Sequence, residues 1–226
     1  MMVRMAHKKA ARRYHHGDLR RTLLDAALAI VEAGGLGALS LRELAREAGV
    51  SHAAPYRHFV SREALVLALA IEGFAGLAAE MDLGAAGERA PLDRMRALGL
   101  AYIHHAVAHP GHFRVMFSSE LHAGGEEPEL LDAGAPSLQA LVDAIVEGQL
   151  AGAVRSGEPA ALALSAWSMV HGLSMLLVDR QLAALVPDGA PVDVLAHAVM
   201  DVVVRGLAPD AAAGRARAGK SRRRRS

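Results

Sequence analysis

The chain is predicted to be all-α, with an N-terminal three-helix helix-turn-helix domain followed by a larger C-terminal helical domain. Three observations predict it. Apolar residues recur at i, i+3, i+4 and i+7 in segment after segment, and none shows the alternation of a strand. The stretch from Leu39 to Arg62 carries the punctuation of two short helices around a tight turn. A length of 226 residues, 52% of them hydrophobic, suits one small domain and one larger helical one with a sizeable core. Aromatic residues are only 4% of the chain, so that core must be built from Ala, Leu and Val, with Met as filler.

Residues 1–17 form a polar arm with Arg4, Lys8, Lys9, Arg12 and Arg13. It reads either as a solvated terminus or as an arm that follows phosphates or enters a minor groove. The first helix is predicted from Asp18 to Ala33, with Leu19, Leu23, Ala26, Ala27, Ile30 and Val31 on one face and Gly34, Gly35 and Gly37 ending it. Ser40 starts the next helix, and Glu43 three residues on makes the S-x-x-E spacing of a capping box. Leu41, Leu44, Ala45 and Ala48 share an apolar face. Gly49 supplies the left-handed conformation that a sharp turn needs. Val50 can plug the corner, and Ser51 can cap a helix from His52 to Phe59. Helices joined in this way make the unit that places its second helix in a DNA major groove.

The second helix has a surface suited to that task. His52, Ala53, Ala54, Tyr56, Arg57 and His58 are small, hydrogen-bonding or basic, and no Asp or Glu occurs between Ser51 and Arg62. Such side chains approach base edges and phosphates without repulsion. Pro55 is tolerable at the edge of the first turn, and Phe59 is expected to turn inward. Candidate DNA-contacting residues are Ser40, Ser51, His52, Ala53, Ala54, Tyr56, Arg57, His58 and Arg62. Arg57 and His52 are placed to read bases, and Tyr56, His58 and Arg62 to hold phosphates.

The segment LSLRELAREAGVSHAAPYRHFVSREAL resembles the DNA-binding segment of the TetR family of bacterial transcriptional regulators. The marks are the A-x-x-A-G-V-S turn, the Y-x-H-F end of the recognition helix, and the S-R-E-x-L start of the next helix. The match extends back over LRRTLLDAALAIVEAGGLGALS. Many members carry Lys where this chain has Arg62, which keeps the charge. The resemblance implies a homodimeric regulator, a repressor released from a pseudo-palindromic double-stranded DNA operator by a small molecule. It also implies a C-terminal ligand-binding and dimerisation domain, a fourth helix that joins the domains and carries their relative motion, and a dimer interface on the last two long helices.

After the helix-turn-helix, a helix is predicted from Arg62 to Met81, capped by Ser61, with Gly73 and Gly76 weakening it locally. Leu83 to Pro91 reads as a linker. Leu92, Met95, Gly99, Tyr102, Ile103 and Ala106 fit one helix face, Pro110-Gly111 breaks it, and HFRVMFSSEL makes a short helix. Gly124 to Pro128 is a loop. Leu138 to Gln149, Pro159 to Leu182 and Pro191 to Arg205 are further helices. The domain boundaries are therefore 1–17 for the arm, 18–62 for the helix-turn-helix, 63–90 for the connecting helix and linker, 91–208 for the C-terminal domain, and 209–226 for a basic tail. That tail, ending in RARAGKSRRRRS, cannot form a core. It is expected to be disordered, either simply solvated or adding weakly to DNA affinity.

Charge follows this division. Residues 1–62 carry a net charge of +6, residues 63–208 carry −11, and residues 209–226 carry +6. A basic helix-turn-helix end is the footprint of a nucleic-acid binder, and an acidic body would orient it on DNA. There are no cysteines, which excludes disulfides, thiolate metal sites and cysteine nucleophiles, and fits a reducing cytoplasm. No signal-peptide pattern opens the chain. Leu162 to Val178 is too short and too polar for a membrane span, so a buried helix and no membrane partner are expected.

Trp167, His171 and Met175 lie at i, i+4 and i+8. They read either as ordinary core or as the wall of an apolar pocket with one polar anchor. In the pocket reading His171 is the anchor, and Tyr102, Phe113 and Met116 face it. The segments HPGHFRVMF and AWSMVHGLSMLLVDRQL resemble a TetR subgroup with a W-x-x-x-H-G signature, here Trp167, His171 and Gly172, and this favours the pocket. The alternative is a helical metal-dependent hydrolase or metal sensor using His104, His105, His109 and His112. No Asp, Glu or Cys falls between Met95 and Ser119, and zinc sites want three or four ligands, so no metal site and no cofactor are expected. No nucleophile elbow, phosphate-binding loop, H-E-x-x-H or paired-carboxylate motif appears, which argues against an enzyme.

Overall fold

The structure, a computed structural model, describes residues 19–122, 127–182 and 191–209. The basic arm and the basic tail fall outside the described residues. The chain divides into two compact units after Arg62, and among the described residues every regular element is helical.

The first unit contains α1 (Leu19–Gly34) and α2 (Leu41–Glu47), with 3-10 turns at Leu36–Ala38 and Pro55–Arg57. Leu23, Leu24, Ala27, Ile30 and Val31 bury one face of α1, and Leu41, Leu44 and Ala45 that of α2. The Ser40 side chain accepts a hydrogen bond from the Glu43 N–H at 3.1 Å, so the first half of the capping box forms. The Glu43 carboxylate turns to Arg46 instead of reaching back. At the other end of α2, Val50 N–H bonds Ala45 C=O at 2.9 Å and Gly49 N–H bonds Arg46 C=O at 3.2 Å. Gly49 lies at φ +67°. This is a Schellman ending, and its left-handed residue is the one the sequence provides.

The recognition segment departs from expectation. The predicted helix from His52 to Phe59 is instead a turn followed by the 3-10 stretch Pro55–Arg57. Ala54 N–H bonds the Ser51 carbonyl at 2.9 Å, so the backbone of Ser51, not its hydroxyl, closes the first turn. Pro55 has no N–H to donate into a regular α-helical ladder. Only Phe59 N–H, which reaches Pro55 C=O at 2.9 Å, has α-helical spacing.

The second unit contains α3 (Arg62–Ala85, whose first residue ends the first unit), α4 (Pro91–Ala108), α5 (Pro110–Met116), α6 (Ser119–His122), α7 (Pro128–Leu150), α8 (Pro159–Val178) and α9 (Val192–Leu207). Proline opens α4, α5, α7 and α8, where its missing N–H costs nothing. α4 is the hub and packs on α7, α8 and α9. α3 runs on to Ala85, through part of the predicted linker, since nothing in Leu83-Gly84-Ala85 forbids another turn. α7 starts at Pro128, well before the predicted Leu138, and holds Pro136 in its interior. α8 ends at Val178 rather than Leu182. Arg180 takes φ +54°, and Gln181 N–H returns to Leu176 C=O at 2.9 Å, so this ending also has Schellman geometry. The Arg114 guanidinium donates to Val178 C=O at 2.6 Å and so caps the same terminus.

α3 and α8 are long and apolar enough to cross a membrane by length and composition. Both contribute side chains to the helical core. α8 was expected to be a buried helix, but Leu164, Met169 and Leu176 lie exposed along it. Its hydroxyls are accommodated locally: Ser165, Ser168 and Ser174 donate to the carbonyls of Ala161, Leu164 and Val170. Gly73 allows α3 to approach α5 closely, because a methyl there would fall 2.6 Å from Met116 Sδ.

Candidate nucleic-acid interface and effector cavity

The outer face of the first unit carries the side chains singled out for DNA. Ser40, Ser51, His52, Ala53, Tyr56, Arg57 and His58 are exposed, and Ala54 is half-buried. Pro55 and Phe59 point inward and anchor the segment. The Arg20 guanidinium lies 5.6 Å from the Phe59 ring centroid, a cation–π distance. Arg62, expected to hold a phosphate, also makes hydrogen bonds within its own unit. It is partly buried, and it donates to Leu39 C=O and Leu36 C=O at 2.8 Å each. Those carbonyls belong to the connection between α1 and α2, so Arg62 fastens the start of α3 to the frame of the helix-turn-helix. Its basic spacing within the motif was visible in the sequence; the two carbonyl acceptors, more than twenty residues away, were not.

Within the second unit, α3 to α9 line a cavity of about 760 Å³. Its walls are apolar: Phe74, Leu77 and Met81 from α3, Met95 and Leu98 from α4, Leu130, Leu138 and Leu141 from α7, Val170 from α8, and Met200 and Val203 from α9. Of the six residues predicted for a pocket, Tyr102, Met116 and Trp167 line it. Phe113, His171 and Met175 do not. Phe113 is fully buried and stacks edge-on to Tyr102, with ring centroids 5.7 Å apart.

His171 lies one layer back and acts through Tyr102. The Trp167 indole N–H donates to the Tyr102 hydroxyl at 3.2 Å, and that hydroxyl sits 2.9 Å from His171 Nδ1. Burial lowers the His171 pKa, which favours a neutral imidazole hydrogen-bonded through Nδ1 to the phenol. Burial also raises the Tyr102 pKa, against the smaller opposing effect of the Trp167 hydrogen bond. The Tyr102 side chain in the lining is therefore a neutral phenol, held by hydrogen bonds to an indole and an imidazole. Phe117 packs against His171 at 4.4 Å between ring centroids and completes the aromatic cage.

Ser137 is a lining residue that sequence reasoning missed. It is buried, and its hydroxyl has no hydrogen-bond partner among the described residues. It stands on the part of α7 around Pro136, a stretch whose helical character the apolar periodicity did not mark. Among the described residues no Lys or Arg lines the cavity, and Glu127 is the one charged lining residue.

The four histidines of the alternative reading do not share one centre: His105 and His109 meet at Glu80, and His104 and His112 face other carboxylates. His104 Nε2 is 2.7 Å from Asp193. His105 Nδ1 and His109 Nε2 lie 3.2 and 3.1 Å from the two carboxylate oxygens of Glu80, and His112 Nε2 lies 3.3 Å from Glu72. The carboxylates absent from the local sequence arrive from α3 and α9.

Two family models match the chain. Residues 23–69 match that of the bacterial regulatory proteins of the tetR family, and residues 95–203 match that of the tetracyclin repressor-like C-terminal domain. Among solved structures, a protein of unknown function from Rhodococcus sp. RHA1 is 41% identical, with 88% of this chain and 100% of that chain covered and a TM-score of 0.74. A bacterial regulatory protein in the tetR family from Rhodococcus RHA1 is 22% identical, over 83% of this chain and 96% of that one, with a TM-score of 0.67. The transcriptional regulator FadR from Bacillus subtilis, in complex with stearoyl-CoA, shares the fold at 15% identity, over 83% and 98%, with a TM-score of 0.66. No curated protein sequence matches the chain.

Proposed function

The chain belongs to the TetR family of ligand-responsive, DNA-binding transcriptional regulators, and we propose that it is a cytoplasmic homodimeric repressor released from a pseudo-palindromic operator by a neutral, largely hydrophobic molecule. The observation that carries the effector class is the cavity: about 760 Å³ of apolar wall with Tyr102 in its lining. Apolar walls with one or two placed polar groups are the usual make-up of a small-molecule site. The Ser137 hydroxyl is the second such group. Neutrality follows from the lining. The FadR neighbour holds stearoyl-CoA, and an acyl chain would suit these walls. A phosphate-bearing headgroup would meet no lining cation here and would face the Glu127 carboxylate.

The exposed apolar residues Leu164, Met169 and Leu176 on α8 and Val194 and Val202 on α9 support a dimer built on these two helices. A two-fold dimer reads half-sites whose centres lie ~34–36 Å apart or a multiple of it. Base contacts are assigned to Arg57 and His52, and phosphate contacts to Tyr56 and His58. α3 is one helix from Arg62 to Ala85 that also carries Phe74, Leu77 and Met81 of the cavity wall. Ligand that favours one position of this helix shifts the half-site spacing, and operator affinity falls only by the ligand's differential affinity for the two states. The metal-dependent hydrolase is not favoured, because the family to which the chain belongs is generally non-enzymatic.

The test uses uncharged hydrophobes bearing a hydroxyl or ketone, beside free fatty acids and acyl-CoA, in thermal melts and operator-release titrations. Neutral compounds are expected to raise the melting temperature and release the operator. Tyr102→Phe should require about three- to tenfold more of them, the worth of one neutral hydrogen bond. Response to acyl-CoA alone, unchanged in Tyr102→Phe, would overturn the effector class.

A further inference from the structure

Glu80, His105 and His109 form a cluster that the effector cavity and the DNA face do not use. One ligand atom from each lies within 4.8 Å of the others. Glu80 stands on α3, His105 in the last turn of α4, and His109 caps that helix. None of the three lines the cavity. The Glu80 carboxylate straddles the two rings, with Oε2 3.2 Å from His105 Nδ1 and Oε1 3.1 Å from His109 Nε2. Tetrahedral zinc, with bonds of about 2.0 Å, sets its ligand atoms ~3.3 Å apart; each of these nitrogen–oxygen separations is of that size, though they run to different oxygens of the one carboxylate.

His105 is the informative member. It is 2% exposed, and neither ring nitrogen makes a hydrogen bond of proper geometry. Its Nδ1 is at contact distance from the carboxylate but is not aligned to share a proton with it. A buried imidazole left in this state lacks a partner that most buried polar groups have. An ion placed between that nitrogen and the carboxylate oxygens would supply the partner His105 lacks and take the place of the hydrogen bond between His109 and Glu80. The ring is also given room, because a methyl at Gly76 would come within 3.3 Å of its Cε1.

We propose that Glu80, His105 and His109 bind one divalent transition-metal ion of the zinc class, through a Glu80 carboxylate oxygen, His105 Nδ1 and His109 Nε2. Two imidazoles and a carboxylate suit zinc, cobalt or nickel and not magnesium or calcium, which want all-oxygen shells. His109 and Glu80 are 44% and 42% exposed, which leaves an entry path and a fourth position for solvent. The set differs from the four neighbouring histidines of the sequence: His104 and His112 face their own carboxylates, and the decisive ligand is an acid from another helix. The role is structural. The ion ties α3 to the end of α4, and these helices supply Leu77, Met81 and Tyr102 to the cavity wall.

The experiment titrates metal-stripped full-length protein with Co2+, followed by ligand-field absorption, and then displaces it with Zn2+ in thermal melts. The wild-type protein is expected to bind one equivalent with the intense bands of a four-coordinate ion and to melt at a higher temperature with Zn2+. Glu80→Gln and His109→Ala should each lose those bands and weaken binding at least about tenfold, since even outer-shell changes cost that much. His104→Ala should keep both properties. Both ligand variants change half-exposed side chains; should His109→Ala fail to fold, Glu80→Gln, which keeps the shape, decides. Wild-type protein without a saturable four-coordinate Co2+ signal, or Glu80→Gln binding as wild type, overturns the site.

Discussion

The two units place their chemistry on opposite sides of their cores. In the first, the buried side is a frame: the apolar face of α1, the apolar face of α2, and Pro55 and Phe59 set into it. Everything that can meet a ligand is outside, on a short segment from Ser51 to His58. In the second, the outside is an ordinary acidic helical surface with an apolar strip on α8 and α9, and the chemistry is inside. A phenol and an indole in the wall of an apolar cavity are linked to an imidazole behind it. A reader of a polymer needs a convex surface with rigid support; a sensor of a small hydrophobic molecule needs a concavity that excludes water. One consequence concerns tolerance. Outer substitutions in the first unit should change recognition and leave stability alone, whereas inner ones in the second should change both.

The largest effect that would break this contrast is Phe113→Ala. Phe113 is fully buried and supports Tyr102 and His171 from behind without lining the cavity. Its loss should destabilise the second unit by about 3–5 kcal/mol in denaturant unfolding. A loss under about 1 kcal/mol would mean that the cavity collapses easily and that its walls are not a rigid scaffold.

Next is Arg62→Ala. Arg62 lies in the recognition motif yet points into the frame, with two charge-assisted hydrogen bonds to carbonyls. The expected outcome is a loss of roughly 1.5–3 kcal/mol in stability, with all DNA sequences bound more weakly. A normal melt with a salt slope reduced by about one phosphate contact would instead return Arg62 to the outer surface. Arg57→Ala is the converse. It should leave the melt unchanged, and it should weaken the cognate operator by about tenfold to a hundredfold while relaxing selection at one base position, as read in a competition of operator variants.

The same contrast explains what the sequence disclosed. The turn at Gly49, the Ser40 cap and the inward Phe59 are each set by residues within a few positions of one another, so local rules read them directly. The cavity is assembled from seven helices, and only the members with a helical period on one segment were legible. Trp167 and His171 are four apart on α8, but that spacing did not say which of them reaches the cavity; Tyr102, from α4, takes the front position. Glu80 shows the same limit. A carboxylate was sought near the histidines in the chain, and the fold brings it from another helix. Pro55 worked the other way: a local feature, correctly noticed, whose missing N–H makes the recognition segment tighter than the helix expected there.

The smallest predicted effect separates a polar group held for a ligand from one held for the fold. Ser137 is buried on α7 with its hydroxyl unpartnered among the described residues, and it lines the cavity. Burying a hydroxyl without a hydrogen bond is unfavourable, so a residue chosen for stability alone would be Ala at this position. Ser137→Ala should therefore leave the ligand-free protein as stable as wild type or more stable, by up to about 1 kcal/mol. It should also lower affinity for neutral effectors that carry a second polar group, while effectors with only one, satisfied by Tyr102, should be unaffected. The two kinds of ligand can be compared by isothermal titration on the wild-type and variant proteins, with melts run beside them. A clear loss of stability in the ligand-free variant would show that the hydroxyl has a structural partner. Equal affinity for both ligand classes would leave Tyr102 as the polar contact of the cavity and remove Ser137 from the recognition of the effector.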